Sequence, residues 1–440
     1  MKRFFTTLKN IFSIEDLRVR ILNTIGYLII FRIGSYIVLP GVNPTHASIV
    51  NPGSGGVFGL LDTLVGGSFT RVSIFALGIM PYISASIVVQ LLTVAVPKFA
   101  KMQKEGDSGR KKLNQFTRVL TIVITAAQSF GYLKSILSPD AIYNPGIFFT
   151  VSSIVILVSG TMFCMWLGEK ITDKGIGNGI SMLIMIGIVS RFPLAIYQEI
   201  SSRSTSGGLL IFIVEAIALF FIVVGVIALT QATRRIPVQY AKQVVGNKLY
   251  GGKRDFIPLK LNSAGVMPII FAQALMFIPP LVASMFRDSD FGAYMGSTFA
   301  DFTSWQYNVL FGTLILVFTF FYTAITVPSN DIAENLKRNG GFVPGIKPGK
   351  QTAEFIDNIL SKITLPGALF LVIVAVLPAF AVRAGITQNF AQFYGGTSLL
   401  ILVGVVLDTL QQIESYLLMR HYEGMMKSGR VKGRSQFAAA

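Results

Sequence analysis

Covalent chemistry needs a base, a nucleophile or a Lewis acid, and this chain of 440 residues is poor in all three. Its two histidines, His46 and His421, stand isolated, and its one cysteine, Cys164, sits in an apolar run. That excludes an internal disulfide and leaves no cysteine or histidine set for a metal. There is no H-E-x-x-H motif, no Ser-His or Ser-Lys pairing and no pair of carboxylates within an apolar stretch, so neither catalytic residues nor a cofactor are expected. GIGNG at 175–179 resembles a phosphate-cradling loop but lacks the following G-K-[ST] and leads into an apolar run. Candidates for ionisable ligands near the midplane of the apolar runs are few: Arg32, Glu215 and Asp408. Such groups are costly in lipid and mark ion pathways, so a secondary transporter using Glu215 or Asp408 is one reading, on a thin ligand set.

A different physical chemistry is better represented. Uncharged polar residues recur inside apolar stretches: Ser84, Ser86, Gln90 and Thr93, then Gln128, Asn178, Ser181 and Gln273. They serve either as hydrogen-bonding glue between helices or as the lining of a water-accessible interior. Among them, Ile83 and Ile87, and again Ile180 and Ile184, are spaced i, i+4 and so share a helix face. On a lipid-facing surface this spacing means nothing; around a wet interior, stiff β-branched side chains form a constriction that excludes water and ions.

These residues must be carried by membrane helices. The composition is 52% hydrophobic and 13% charged, with a mean hydropathy of +0.62, which places the chain among polytopic membrane proteins. Apolar runs long enough to span occur at about 21–39, 72–95, 116–137, 147–167, 176–200, 208–230, 263–285, 305–327, 364–382 and 395–418. The first follows a basic stretch without a small-x-small cleavage pattern and reads as a retained span. Ten spans put both termini on one side, and that side holds 31 of the 38 Lys and Arg. The bias marks it as cytoplasmic and accounts for the net charge of +17 without nucleic acid. Ten spans divide into two sets of five, an odd number each, so related halves would be inverted; no residue-level repeat supports this.

Residues 57–69, VFGLLDTLVGGSF, follow a Gly-rich stretch and make a helix of only about 20 Å, too short to span. A surface helix and a re-entrant segment buried in protein both fit, and Gly55, Gly56, Gly66 and Gly67 would let the piece hinge. Residues 231–262 alternate around a basic Gly-containing turn, as a protruding two-stranded element does. Residues 329–339 read as a short helix stopped by Gly340 and Gly341, followed by FVPGIKPGK. Two basic protrusions of this kind suit docking to a large anionic partner through phosphate contacts.

Nearly the whole chain resembles the SecY family of protein-translocation channels. The resemblance rests on GIMPYISASIVVQLL at 78–92, GEKITDKGIGNGIS at 168–181, RRIPVQYAK at 234–242, FVPGIKPGKQT at 342–352 and GGTSLLI at 395–401. It implies an all-α polytopic membrane protein with ten transmembrane helices in two inverted five-helix halves, 1–205 and 206–440, around a central pore. It further implies a channel in a bacterial cytoplasmic membrane, non-enzymatic, with both termini cytoplasmic, which passes secretory chains across and releases membrane helices sideways into lipid. A pore ring of Ile83, Ile87, Ile180, Ile184, Ile270 and Ile401 follows by motif. A plug at about 57–69 is implied as well, comprising Val57, Phe58, Gly59, Leu60, Leu61, Asp62, Thr63, Leu64 and Val65. The lateral gate would run between the second and third helices and the seventh and eighth, with Thr93 and Gln128 as polar contacts. Loops 231–262 and 328–363 would dock the ribosome and the SecA motor through Arg234, Arg235, Lys242 and Lys347. The other implied partners are SecE and SecG subunits, signal sequences, nascent chains and membrane lipids. Lys347 stands where the family commonly has arginine, which keeps the charge but loses the planar bidentate donor.

Overall fold

The structure is a computed structural model and describes residues 14–43, 62, 64–135, 137, 141–205, 208–240, 243–245, 248–250, 254–276, 279, 290, 294–295, 298–299 and 301–427. In chain order the helices are α1 (Glu15–Gly34), α2 (Met80–Ala95), α3 (Pro97–Lys104), α4 (Asp107–Ser135), α5 (Ile147–Lys174), α6 (Gly179–Thr205) and α7 (Leu209–Gln231). Strands β1 (Thr233–Tyr240), β2 (Gln243–Val245), β3 (Lys248–Tyr250) and β4 (Arg254–Lys260) follow. Then come α8 (Met267–Leu275), α9 (Trp305–Thr326), α10 (Ser329–Arg338), β5 (Gly341–Phe342), α11 (Lys350–Arg383), α12 (Gln388–Ala391) and α13 (Gly396–Lys427).

Each of the ten expected spans overlaps one of these helices. Among the described residues, seven helices are long and apolar enough to cross a membrane, and the bent pair α2 and α3 makes an eighth. α1 falls outside that set because its 20 residues include Glu15, Asp16, Arg18, Arg20 and Arg32. α8 falls outside because only 9 residues of it are described as one helix.

The second and ninth spans start away from the hydropathy reading, each for a local reason. The second span starts at Met80 instead of 72, since residues 65–79 form turns and Pro81 suits a helix's first turn. It ends at Ala95, as expected; Val96 after it is extended (φ −114°, ψ 116°) ahead of Pro97, and the chain bends there by 104° into α3. The ninth span, expected from 364, belongs to a single 34-residue helix beginning at Lys350. Its polar first part is invisible to a hydropathy window, yet Ile356 and Leu360 bury themselves against the sheet.

Antiparallel β1 and β4 run in register from Thr233 opposite Lys260 to Gln239 opposite Arg254, which is the expected two-stranded element. Its tip adds a second hairpin, β2 with β3. β1 also pairs with β5 through Gln239–Phe342 and Tyr240–Gly341, giving the order β4-β1-β5. Ile236, Val238, Leu259, Leu336, Val343, Ile356 and Leu360 close one core beneath that sheet. The two basic protrusions are therefore a single body.

Within the helical region α2 packs on α4, α4 on α5, and α5 on α6 and α1; α8 packs on α9, α9 on α11 and α11 on α13. The two groups meet along α6 against α7 and α13, and on the other side where α2 touches α8. α7 shows its environment plainly: Leu210, Ile213, Val214, Ile217, Phe220 and Phe221 are all exposed on a helix whose only acid is Glu215. Such a surface is stable in hydrocarbon, where apolar side chains need no cover.

Candidate functional site

The six isoleucines named from the sequence come from four helices and join one apolar cluster. Ile83 and Ile87 on α2, Ile184 on α6 and Ile401 on α13 are buried in it, while Ile180 on α6 and Ile270 on α8 are half-buried and pack against it. Because α2 and α6 belong to the first group of helices and α8 and α13 to the second, the cluster straddles the junction between them. The polar residues of α2 do not disturb it. The Ser84 hydroxyl donates to the Met80 carbonyl at 3.2 Å, Gln90 Nε2 to Ser86 Oγ at 3.4 Å, and Thr93 Oγ1 to the Gln90 carbonyl at 2.6 Å. With these groups satisfied inside their own helix, α2 loses no hydrogen bond when a neighbour parts from it.

Of the expected plug residues, Val57, Phe58, Gly59, Leu60, Leu61 and Thr63 lie outside the described residues. Asp62, Leu64 and Val65 are buried. Leu64 and Val65 line a small apolar cavity with Ile79, Leu183 and Ile184, so the end of this segment abuts the isoleucine cluster. Asp62 is ion-paired with Arg191 of α6. Its carboxylate also accepts from the Thr70 backbone N–H at 2.9 Å and the Thr70 hydroxyl at 3.0 Å.

The turn after Leu64 is wedged among arginines. Arg32 Nη1 donates to the Gly66 carbonyl at 3.2 Å, and the Arg71 guanidinium lies 4.2 Å above the Tyr36 ring. Gly66 (φ +69°) and Gly67 (φ +88°) both occupy the left-handed region. A Cβ on Gly67 would sit 2.8 Å from Arg191 Nη2 and 2.9 Å from Arg71 Nη2, and one on Gly66 would sit 2.7 Å from Arg32 Nη1. The two glycines therefore answer a close approach as well as a backbone requirement.

Thr93 and Gln128 lie on neighbouring helices, α2 and α4; Gln128 is exposed, and the Thr93 hydroxyl is held within α2. Arg234 and Arg235 are exposed on β1, opposite Leu259 and Pro258, and Lys347 is exposed in the turn after β5. Lys242 lies outside the described residues. The Lys347 carbonyl accepts from the Thr352 hydroxyl at 2.9 Å, which ties its turn to the start of α11.

Two polar constellations were missed in the sequence. One is the arginine cradle around Asp62, because no local pattern places Arg32, Arg71 and Arg191 beside one turn. The other lies where α6 meets the second group. Arg203 donates to Glu199 at 3.0 Å, to Glu215 at 2.6 Å and to the Gly385 carbonyl at 2.8 Å. Glu199, 0% exposed, also accepts from the Thr387 backbone N–H at 2.9 Å, and the Tyr394 hydroxyl donates to the Glu215 carbonyl at 2.6 Å. Glu215 therefore has a partner that sequence spacing did not reveal. The available signal was that the positive-inside bias leaves few cations on the opposite side, so each one there needed a structural reason. Among the described residues no group of three or more His, Cys, Asp or Glu is placed to hold a metal.

A family model described as SecY matches residues 73–410. The protein translocase subunit SecY of Halalkalibacterium halodurans is 45% identical over 433 residues, spanning 96% of this chain and all of that relative. Among solved structures, one described as a protein-conducting channel aligns with a TM-score of 0.64 at 15% identity, over 90% of this chain and 92% of that one. Sec61 in the canine ribosome–channel complex from the endoplasmic reticulum aligns with a TM-score of 0.59 at 15% identity, over 90% and 92% of the two chains. At that identity the likeness is one of fold.

Proposed function

Because this chain belongs to the SecY family, we propose that it forms the protein-conducting pore through which secretory polypeptides cross a bacterial cytoplasmic membrane and from which apolar segments pass sideways into lipid. It is a multi-pass membrane protein and a channel subunit, not an enzyme. The observation that carries the reading is the isoleucine cluster, which four helices from both groups build at their junction. Apolar side chains there would close on one another when the pore is empty, and the helices that carry them would part enough to fit around a chain when it is full. A polar stretch then continues through water, whereas an apolar helix gains by leaving between α2 and α8 for hydrocarbon.

The remaining assignments extend that reading. Ile83, Ile87, Ile180, Ile184, Ile270 and Ile401 act as the seal, and the segment 57–69 acts as the plug, with Leu64 seated beside Ile184. α2 and α4 part from α8 and α9 as the lateral gate, near Thr93 and Gln128. Residues 1–205 and 206–440 act as the two inverted halves. The sheet body carrying Arg234, Arg235, Lys242 and Lys347 docks the ribosome and the SecA motor, SecE and SecG are companion subunits, and both termini are cytoplasmic, as the lysine and arginine bias supports. A solute transporter is disfavoured because Glu215, its best candidate, is engaged by Arg203. The test is photocrosslinking from residues 83, 184 and 401 to a stalled secretory chain. Adducts at all three are expected, and their absence with a chain demonstrably engaged would sink the proposal.

A further inference from the structure

The cradle around Asp62 brings three guanidinium groups, those of Arg32, Arg71 and Arg191, onto the Gly66–Gly67 turn, and the carboxylate beside them, Asp62, is ion-paired with Arg191. Positive charge exceeds negative there. Donor capacity exceeds demand too, for Arg71 Nη1 and Arg191 Nε are buried without a hydrogen-bond partner. Arginine is the side chain suited to paired recognition of carboxylates. Removing the one anion would leave several cations partly out of water and uncompensated, which is strongly unfavourable.

Asp62 lies two residues from Leu64, which lines the cavity beside Ile79 and Ile184. Anything threaded through the isoleucine cluster therefore passes next to the cradle. Building on the channel reading above, we propose that the cradle is a carboxylate-binding site whose resident ligand is the plug's own Asp62, and that an acidic side chain of the polypeptide in transit takes its place when the plug leaves. The exchange keeps the guanidinium groups paired in both states and lowers the cost of displacing the plug. A carboxylate tethered to a chain already in the pore has a higher effective concentration at the cradle than a dissolved anion.

The experiment follows a neutral secretory chain through the reconstituted full-length channel with its motor, carrying a single Asp or Asn at a scanned position, and records dwell time. The expected result is a dwell several-fold longer for Asp than for Asn at one register. Arg191→Gln and Arg71→Gln should each bring the ratio toward one, while Arg71→Lys, which keeps the charge, retains part of it. Asp62→Asn should raise the resting ion leak and preserve or increase the ratio, because it empties the cradle without removing a donor. A ratio of one in the unaltered channel, or a ratio indifferent to both arginine replacements, overturns the proposal. So does a dwell equal for Asp and Asn that lengthens with added inorganic phosphate, since that puts a dissolved anion in the cradle. Passage of the Asn chain reports separately whether the channel conducts protein at all.

Discussion

At the scale of single residues, the isoleucines carry the argument because they do no chemistry. A buried apolar cluster at a helix junction excludes ions by offering them no solvation, and one polar side chain among them changes that. Replacing Ile184, which is 5% exposed, with Asn puts an amide where no partner waits, at a cost of about 1–3 kcal/mol to the closed arrangement. Each 1.4 kcal/mol corresponds to about tenfold in the closed-to-open equilibrium. Ion conductance of the resting reconstituted channel should rise by about that factor, with a smaller effect at half-buried Ile180. Equal, unchanged conductance for both would remove the seal from the account. The i, i+4 spacing made Ile83, Ile87, Ile180 and Ile184 legible in the sequence as two shared faces. Ile270 and Ile401 have no such neighbour and emerged by resemblance alone, and their convergence on the same cluster depends on helix packing that no local pattern encodes. Arg203 illustrates the opposite limit. Glu199, four residues before it on α6, is in reach by helical spacing, but Glu215 and the Gly385 carbonyl lie 12 and 182 residues away, so only the fold brings those to it.

At the scale of elements, turns and breaks do what the helices cannot. The hydropathy window placed the second span eight residues too early because the turns preceding α2 are as apolar as the helix itself. Gly66 and Gly67 do take left-handed conformations, but nothing in the sequence pointed to the guanidinium groups around them. Gly67→Ala tests both demands at once: the left-handed conformation costs an alanine about 1–2 kcal/mol, and the new methyl would meet the guanidinium groups of Arg191 and Arg71. The turn must then shift, and Asp62 with it. We expect the resting channel to leak more, and a channel as tight as the original would show that the turn is not coupled to closure. Deleting residues 60–65 removes Asp62 and Leu64 together and should give a larger leak; native-like closure would argue against the plug assignment. The hairpin β1–β4 was readable from its alternation. Its fusion with β5 was not, since two residue pairs separated by about a hundred positions leave no local trace.

At the scale of the whole molecule, two junctions hold the helical groups together, and they differ in kind. The α2–α8 contact is apolar and small, whereas the α6 side is clasped by Arg203 between Glu199 and Glu215. Breaking a buried ion pair by removing one partner costs about 3–5 kcal/mol, so Arg203→Gln should lower the thermal midpoint in detergent, and adding Glu199→Gln and Glu215→Gln should recover part of the loss. If Arg203→Gln leaves the midpoint unchanged, the clasp is not what holds that side, and the asymmetry that would let the opposite side open has another source. The sheet body projects from the same frame, with Arg234 and Arg235 exposed on β1 and Lys347 in the neighbouring turn. Because β5 pairs with β1, these charges move as one surface, and a polyanionic partner would meet them together. Each phosphate contact contributes close to one unit to the dependence of log affinity on log salt. Reversing Arg234 and Arg235 to Glu should weaken ribosome binding about tenfold or more at physiological salt and flatten its salt dependence by about two units. Lys347→Glu should act in the same direction but less, as expected of a point charge without bidentate geometry. Binding that weakens with an unchanged salt slope would mean that the replacements disturbed the sheet and not a phosphate contact.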